Sequence, residues 1–454
     1  MDHLFSYQGK ISRRTFALTG FLLFVIKYSL DKLIAMQNHR PWFLTDYFIQ
    51  PDHLSVTNLD PDSRKFYLTL IAVSLPFIWC GVVLCLKRLR DIRLPLWLVG
   101  FFFIPFINVL FFILLCILPS NAEGATEEEK PRFLNRLIPK SETSSILFSI
   151  GITVIVALLF TAFSVSVIEE YGWGLFVAIP FFIGFTSVML YAYHHQPVSR
   201  KKAIGIGVTG ISFFAIFLFG LAMEGVICIA MAAPFGYILG MMGSLLAYAI
   251  QHQPQRASLN SIAVFVFALP GMMWIEKHSN IEATVYELKT GIIINQPPQK
   301  VWNQLISFST IDPPEEFIFK TGIAYPVDAK ITGQGVGAIR YCNFTTGPFV
   351  EPITVWNEPR LLKFDVLKQP QPMIEMSVYD EVHAPHLNGY FYSLQGEFKL
   401  TPINAHQTFL EGTTWYKNEM WPSFYWKQWT DIILHKIHFR VLQHIKKKAE
   451  DDHH

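Results

Sequence analysis

Charge is what this 454-residue chain has least of: Asp, Glu, Lys and Arg together make up 16% of it, against roughly a quarter in soluble proteins. Hydrophobic residues reach 51% and aromatics 15%. That balance excludes intrinsic disorder and argues against an ordinary cytosolic enzyme. The formal net charge is +2, so no overall field selects a nucleic-acid partner. Cysteine is also scarce. Five residues are too few and too scattered for a disulfide framework. Cys80, Cys85, Cys116 and Cys228 fall in apolar runs and Cys342 outside them, with no metal-ligand spacing among them. Lys10, Arg13 and Arg14 precede the first apolar stretch, but no small-residue cleavage site follows, so no cleavable signal peptide is expected.

What is present is a series of long stretches without Asp, Glu, Lys or Arg: 66–86, 94–122, 143–168, 171–199, 203–223, 225–255 and 257–275. Each is long enough to cross about 30 Å of hydrocarbon, which takes roughly 20 apolar residues. An eighth stretch, Phe16–Met36, carries Lys27, Asp31 and Lys32 toward its end, where lysines can snorkel. No such run follows Glu276. The sequence therefore divides into a membrane domain over 1–122, a second helical transmembrane region over 143–276 and a soluble domain over 277–454.

The side of the membrane depends on 94–122. Lys87, Arg88, Arg90 and Arg93 mark a cytoplasmic loop. Eight plain spans would then place Lys130, Arg132, Arg136 and Lys140, and also Arg200, Lys201 and Lys202, outside. If 94–122 is instead a re-entrant hairpin broken at Pro105 and Asn108, both clusters return inside and the C-terminal domain lies outside. The charge rule favours the second arrangement and the segment length the first. Glu224, between two apolar runs, is expected to mark a turn between helices. Gly236 and Gly240 form a GxxxG suited to close helix packing. Gly205, Gly207 and Gly210 spell GxGxxG, but no strand precedes them, so the dinucleotide reading fails.

The segment Tyr7-Gln8-Gly9-Lys10-Ile11-Ser12-Arg13-Arg14-Thr15-Phe16, then Lys87-Arg88-Leu89-Arg90-Asp91-Ile92, Trp97 and Ile104-Pro105, resembles the bacterial inner-membrane family called domain of unknown function 805. The likeness covers about residues 4–121. It departs from the family's pattern at Lys10, Arg90 and Arg93-Leu94-Pro95. It implies a location and no chemistry. The basic clusters read as anchors to anionic headgroups at the membrane surface.

In 277–454 the pattern changes. Ala283–Ile294 alternates as a strand, and Pro297-Pro298 open a short helix with Val301, Trp302, Leu305 and Ile306 on one face. Strands are expected at Val327–Thr332, Ala338–Thr345, Phe349–Trp356, Leu361–Leu367, Gly389–Leu400 and Thr408–Tyr416. A long helix follows from Pro422 to about Lys448. Tyr425, Trp429, Ile433, Ile437, Val441 and Ile445 form its apolar stripe. A strand, a short helix, a run of antiparallel strands and one long helix make an α+β domain.

Ile292-Ile293-Ile294-Asn295-Gln296-Pro297-Pro298-Gln299-Lys300-Val301-Trp302, the Gly333–Gly337 turn, Trp356-Asn357-Glu358-Pro359-Arg360-Leu361-Leu362-Lys363-Phe364 and the terminal helix resemble the helix-grip fold. That fold is shared by START lipid-transfer domains, polyketide cyclases and the birch-pollen allergen, the SRPBCC superfamily. The expected fold class is thus a multi-pass α-helical membrane domain followed by an α+β helix-grip domain, with a curved antiparallel sheet and a long C-terminal helix. The resemblance implies an apolar cavity between sheet and helix that holds a lipid or similar molecule.

Candidate ligand contacts follow from strand alternation. Arg340, Cys342 and Phe344 share one face. Phe409, Glu411, Thr413 and Trp415 share another. If the apolar members face the cavity, Arg340 and Glu411 enter with them as a headgroup-gripping pair, and Glu351 is placed similarly. Trp429 and Ile433 come from the helix stripe. His435 and His438 form HxxH one helical turn apart, and His383 and His386 a second HxxH on a loop. Without a motif such as HExxH no metal is expected, nor any cofactor. Phe344, Trp415, His435 and His438 complete the expected ligand-binding set. No catalytic residue is assigned.

The expected function is membrane-tethered binding of a lipid or other hydrophobic small molecule. The partners are membrane lipids and that molecule, with no nucleic acid. One alternative is a cyclase- or hydrolase-type enzyme using His435, His438 or Glu411 as acid–base groups. Another is a membrane assembly or sensing protein whose soluble domain binds another protein.

Overall fold

The computed structural model describes residues 6–47, 61–104, 107–120, 132–168, 171–251, 255–278, 284–376, 387 and 389–451. His383 and His386 lie outside the described residues. The chain forms two units. One comprises Met1–Phe217 and Ala232–Asn280, the other Leu218–Met231 and Ile281–His454.

The first unit is helical. Its elements are α1 (Arg13–Gln37), α2 (Pro61–Asp91), α3 (Ile107–Ile117), α4 (Arg132–Leu137), α5 (Glu142–Phe163), α6 (Ile179–Ala192), most of α7 (Arg200–Gly220) and of α8 (Val226–Ile250), and α9 (Gln255–Lys277). Among the described residues, five helical stretches are long and apolar enough to cross a membrane: Pro61–Asp91, Glu142–Ile168, Gly174–Ala192, Arg200–Gly220 and Val226–Ile250. Ser12 starts α1, its hydroxyl accepting the Thr15 N–H at 3.3 Å, as an N-cap should. Glu224 falls in the turn between α7 and α8, as its position between two apolar runs suggests.

The apolar stretch 94–122 is not one helix. It holds a 3₁₀ segment, Leu96–Phe103, an extended Ile104, and then the eleven-residue α3. At rises of about 2.0 and 1.5 Å per residue, each piece covers roughly half of a bilayer core.

Glycine sets how closely the helices of this unit approach. A Cβ at Gly184 on α6 would lie 1.9 Å from the Gly240 carbonyl oxygen, and one at Gly243 on α8 would lie 2.1 Å from that of Phe181. The close pair on α8 is therefore Gly240 and Gly243, while Gly236 faces open space. Gly207, part of the GxGxxG, abuts Ser244 of α8, which is a packing role.

The basic cluster after the second apolar stretch is not a surface anchor. Arg88 is fully buried. It donates to the carbonyls of Leu115 and Leu118, to Asp91 and to Ser120. It thereby satisfies carbonyls left open at the end of α3. Arg90 donates to the Tyr7 carbonyl and its guanidinium sits 5.9 Å from the Tyr7 ring. Lys87 is buried as well. The family-like motif Arg88-Leu89-Arg90-Asp91 is a clasp between segments distant in sequence.

The second unit contains one seven-stranded sheet: β1 (Val285–Ile294), β2 (Pro326–Thr332), β3 (Ile339–Phe344), β4 (Gly347–Asn357), β5 (Leu361–Asp365), β6 (Phe391–Asn404) and β7 (Gln407–Asn418). The spatial order is β1-β7-β6-β5-β4-β3-β2, antiparallel throughout. Helix α10 (Pro298–Leu305) follows β1, and α11 (Ser423–Asp451) closes the chain. Gly333, Gly335 and Gly337 all have positive φ between β2 and β3, where a side chain would strain the turn.

The concave face of the sheet packs on the helices. Ile294, Leu362, Leu400 and Leu410 from the strands meet Val301, Trp302 and Leu305 of α10 and Val441, Leu442 and Ile445 of α11. Tyr286, Tyr416 and Leu434 form a second cluster. A curved antiparallel sheet gripping one long C-terminal helix is the helix-grip architecture.

Candidate functional site

Sheet and α11 do not pack fully along their length. Between them lies a cavity of about 190 Å³. Trp429, Ile433, Ile437 and His438 contribute from α11, and Phe364, Phe398 and Thr414 from the sheet. The helix side follows from spacing: residues three and four apart share a face, so the Trp429–Ile433–Ile437 row meets the space, Leu434 borders it from the Tyr286–Tyr416 cluster, and Leu442 fills the packed part.

Arg340, Cys342 and Phe344 all line the cavity, as alternation along β3 implies. Arg340 is 2% exposed and Glu351 6%. They sit directly opposite one another across β3 and β4, and Arg340 Nη1 donates to Glu351 Oε2. Three rings surround the guanidinium: Phe308 at 5.6 Å, Phe364 at 5.4 Å and Phe398 at 5.6 Å, within cation–π range. No acceptor among the described residues meets Arg340 Nε.

Burial, the largest influence, disfavours the charge on Arg340, but the Glu351 carboxylate and Cys342 together outweigh it and the guanidinium stays charged. Burial pushes the Glu351 carboxyl up, and Arg340 opposes that rise. Burial also drives the Cys342 thiol up to about 12, so it is no thiolate nucleophile at neutral pH.

His438 joins helix to sheet. Its Nε2 lies 2.7 Å from Thr414 Oγ1, and its Nδ1 lies 3.2 Å from Thr290 Oγ1. Thr290 Oγ1 is in turn 2.9 Å from His435 Nδ1. Burial, aided by nearby His435, lowers the His438 pKa from 6.5 to about 4, so the ring is neutral at pH 7. His435 itself is exposed and stacks on Phe439. The two histidines are bridged by a threonine hydroxyl and do not converge on a metal position.

Three expected residues lie elsewhere: His435, which is exposed and outside the cavity lining, and the pair Glu411 and Trp415. Glu411 and Trp415 are not in the cavity wall, because β7 turns the other set of its residues inward. Leu410 and Tyr416 pack toward the helices, and a Cβ on Gly412 would face Leu442. Trp415 lies on the convex side with Lys363 4.7 Å above its ring, and Glu411 is within electrostatic reach of Lys289. The apolar character of Phe409 and Trp415 misplaces this face. The partner of Arg340 is Glu351, not Glu411. The hairpin itself signals that pairing: with Thr345 and Thr346 as its turn, Phe344 opposes Gly347 and the register brings 340 to 351.

Among the described residues, Glu224, Cys228 and Glu375 have ligand atoms within 4.8 Å of one another. The thiol of Cys228 donates to Glu375 Oε1 at 2.5 Å, so two of the three are joined by a hydrogen bond. Burial raises the Glu375 carboxyl.

Residues 4–126 match the family described as protein of unknown function (DUF805). No curated protein matches the chain. Solved structures similar to part of it include a protein of Nitrosospira multiformis at 17% identity, covering 36% of this chain and 96% of that one with a TM-score of 0.24. A truncated norcoclaurine synthase from Thalictrum flavum shares 10% identity over 39% of this chain and 99% of that one, with a TM-score of 0.26. The Zhui aromatase/cyclase from Streptomyces shares 11% identity over 37% and 94%, with a TM-score of 0.24. The chain thus joins a segment similar to the DUF805 family, at residues 4–126, to a C-terminal helix-grip domain.

Proposed function

We propose that this is a multi-pass protein of the bacterial inner membrane whose helix-grip domain binds a lipid or other hydrophobic small molecule. The observation that carries the reading is the cavity: a partly open space of about 190 Å³ lined chiefly by apolar side chains, with a buried ion pair in its wall. Burying apolar ligand surface there contributes roughly 25 cal/mol per Å².

Native mass spectrometry of the full chain released from detergent tests the reading. A discrete bound mass of lipid or metabolite size is the expected result. Trp429→Asp places a charge in the wall and should remove that mass while the fold, read by circular dichroism, persists. A folded Trp429→Asp protein that keeps its ligand would refute the assignment.

The split of 94–122 into a 3₁₀ segment ending at Phe103 and a helix beginning at Ile107 supports the re-entrant arrangement, which puts the C-terminal domain on the external face. An alkaline phosphatase fused after His454 should then be active. An inactive, stably expressed fusion would place the domain inside.

A further inference from the structure

A guanidinium carries five N–H donors in a planar fork. In Arg340, Nη1 is committed to Glu351 and Nε meets no acceptor among the described residues. Phe308, Phe364 and Phe398 surround the group but have no lone pairs to offer, and the Cys342 sulfur beside it is a weak acceptor. A buried donor left unmet is costly; Nε itself is sealed from the cavity, so a ligand meets this guanidinium, which lines the wall, at its Nη end.

The charge balance restricts what can meet it. Glu351 already neutralises Arg340. A second carboxylate would bring an uncompensated negative charge against an apolar wall, whereas an uncharged acceptor adds none. Size restricts it further. A cavity of 150 Å³ is known to hold benzene, so about 190 Å³ suits a compact ligand of one or two rings, or a branched chain of similar bulk.

Resting on the reading that the cavity holds a hydrophobic molecule, we propose that its ligand is uncharged and presents a carbonyl oxygen, as in a ketone, ester or amide, to Arg340. The apolar body then lies along the Trp429–Ile433–Ile437 row of α11.

The test uses the full chain in detergent and three probes of one shape: acetylnaphthalene, ethylnaphthalene and naphthoate, all substituted at the same ring position. Calorimetric titration at neutral pH should show acetylnaphthalene binding at least about tenfold tighter than ethylnaphthalene, the gain of one hydrogen bond to a charged donor. Naphthoate should bind no tighter than the hydrocarbon. Arg340→Met alone strands Glu351, so the second variant is Arg340→Met with Glu351→Leu. It should keep its affinity for ethylnaphthalene and lose the preference for the ketone.

Equal affinity for ketone and hydrocarbon, or naphthoate binding tightest, overturns the carbonyl proposal and leaves the hydrophobic-ligand reading standing. A double variant that keeps the ketone preference overturns the role of Arg340. If none of the three binds, the hydrophobic-ligand reading falls and the proposal with it.

Discussion

Acidification should loosen the helix-grip domain through His438. This ring sits between Thr414 and Thr290, and burial lowers its pKa from 6.5 to about 4. Between those values the unfolded chain binds a proton that the folded chain refuses, so stability falls as pH falls. Above pH 6.5 both states are neutral and nothing is lost. At about 1.4 kcal/mol per unit, the loss is about 2 kcal/mol by pH 5 and approaches about 3 kcal/mol below pH 4. For a domain of 150–250 residues each kcal/mol moves Tm by about 2–4 °C, so pH 5 should lower it by roughly 4–8 °C.

Other groups also respond to acid, and His444, lowered by burial, acts in the same sense as His438. Glu351, Glu375 and Glu419 have raised pKa values and act with the opposite sign, since the folded state holds their protons more tightly. The comparison that isolates the ring is His438→Gln, which can still bond both hydroxyls but does not titrate. Thermal melts of the full chain in detergent, followed by tryptophan fluorescence, should show wild type losing stability faster than the variant between pH 6.5 and 4. Superimposable pH profiles for the two proteins would refute the argument.

Leu442→Ala removes a fully buried side chain between sheet and helix and should cost about 2–5 kcal/mol, read by denaturant unfolding. Arg88→Ala orphans the carbonyls at the end of α3 and strands Asp91. A loss of more than about 3 kcal/mol is expected, with failure to stay monodisperse in detergent as the readout. Gly243→Val forces α6 and α8 apart at the Phe181 carbonyl and should lower Tm, whereas Gly236→Val, which faces open space, should not. Trp415→Ser and Glu411→Gln lie outside the cavity and should leave ligand affinity within about twofold, measured by the same calorimetric titration.

The order of strands and helices was legible because turn signals separate each pair. The glycines at 333, 335 and 337 and the proline at 298 stand where the backbone needs them. The facing of β3 was legible too, since Arg340 alternates with residues whose burial is unambiguous. The facing of β7 was not. Its outward set contains Phe409 and Trp415, and an aromatic ring covered by a neighbouring lysine stem can sit outside a sheet at little cost. Local pattern has no access to Lys363, which arrives from a strand two places away in the sheet. Of the two residues that suggest a break in 94–122, Pro105 lies outside the described residues and Asn108 falls inside α3. Choosing between a span and two half-length pieces required knowing that Arg88 reaches the carbonyls of Leu115 and Leu118. That is a long-range contact without sequence periodicity.

The hydroxyl–imidazole chain from Thr414 to His435 has two possible senses. If Thr290 gives its proton to His435, His438 carries hydrogen on Nδ1 and takes the Thr414 proton on Nε2. Thr414 then shows the cavity only lone pairs. If His435 carries hydrogen on Nδ1 instead, each link reverses, and Thr414 is freed to aim its own hydrogen inward. The tautomer of a solvent-facing ring thus sets whether this part of the cavity wall donates or accepts. One wall can serve ligands of opposite hydrogen-bonding polarity without moving a heavy atom.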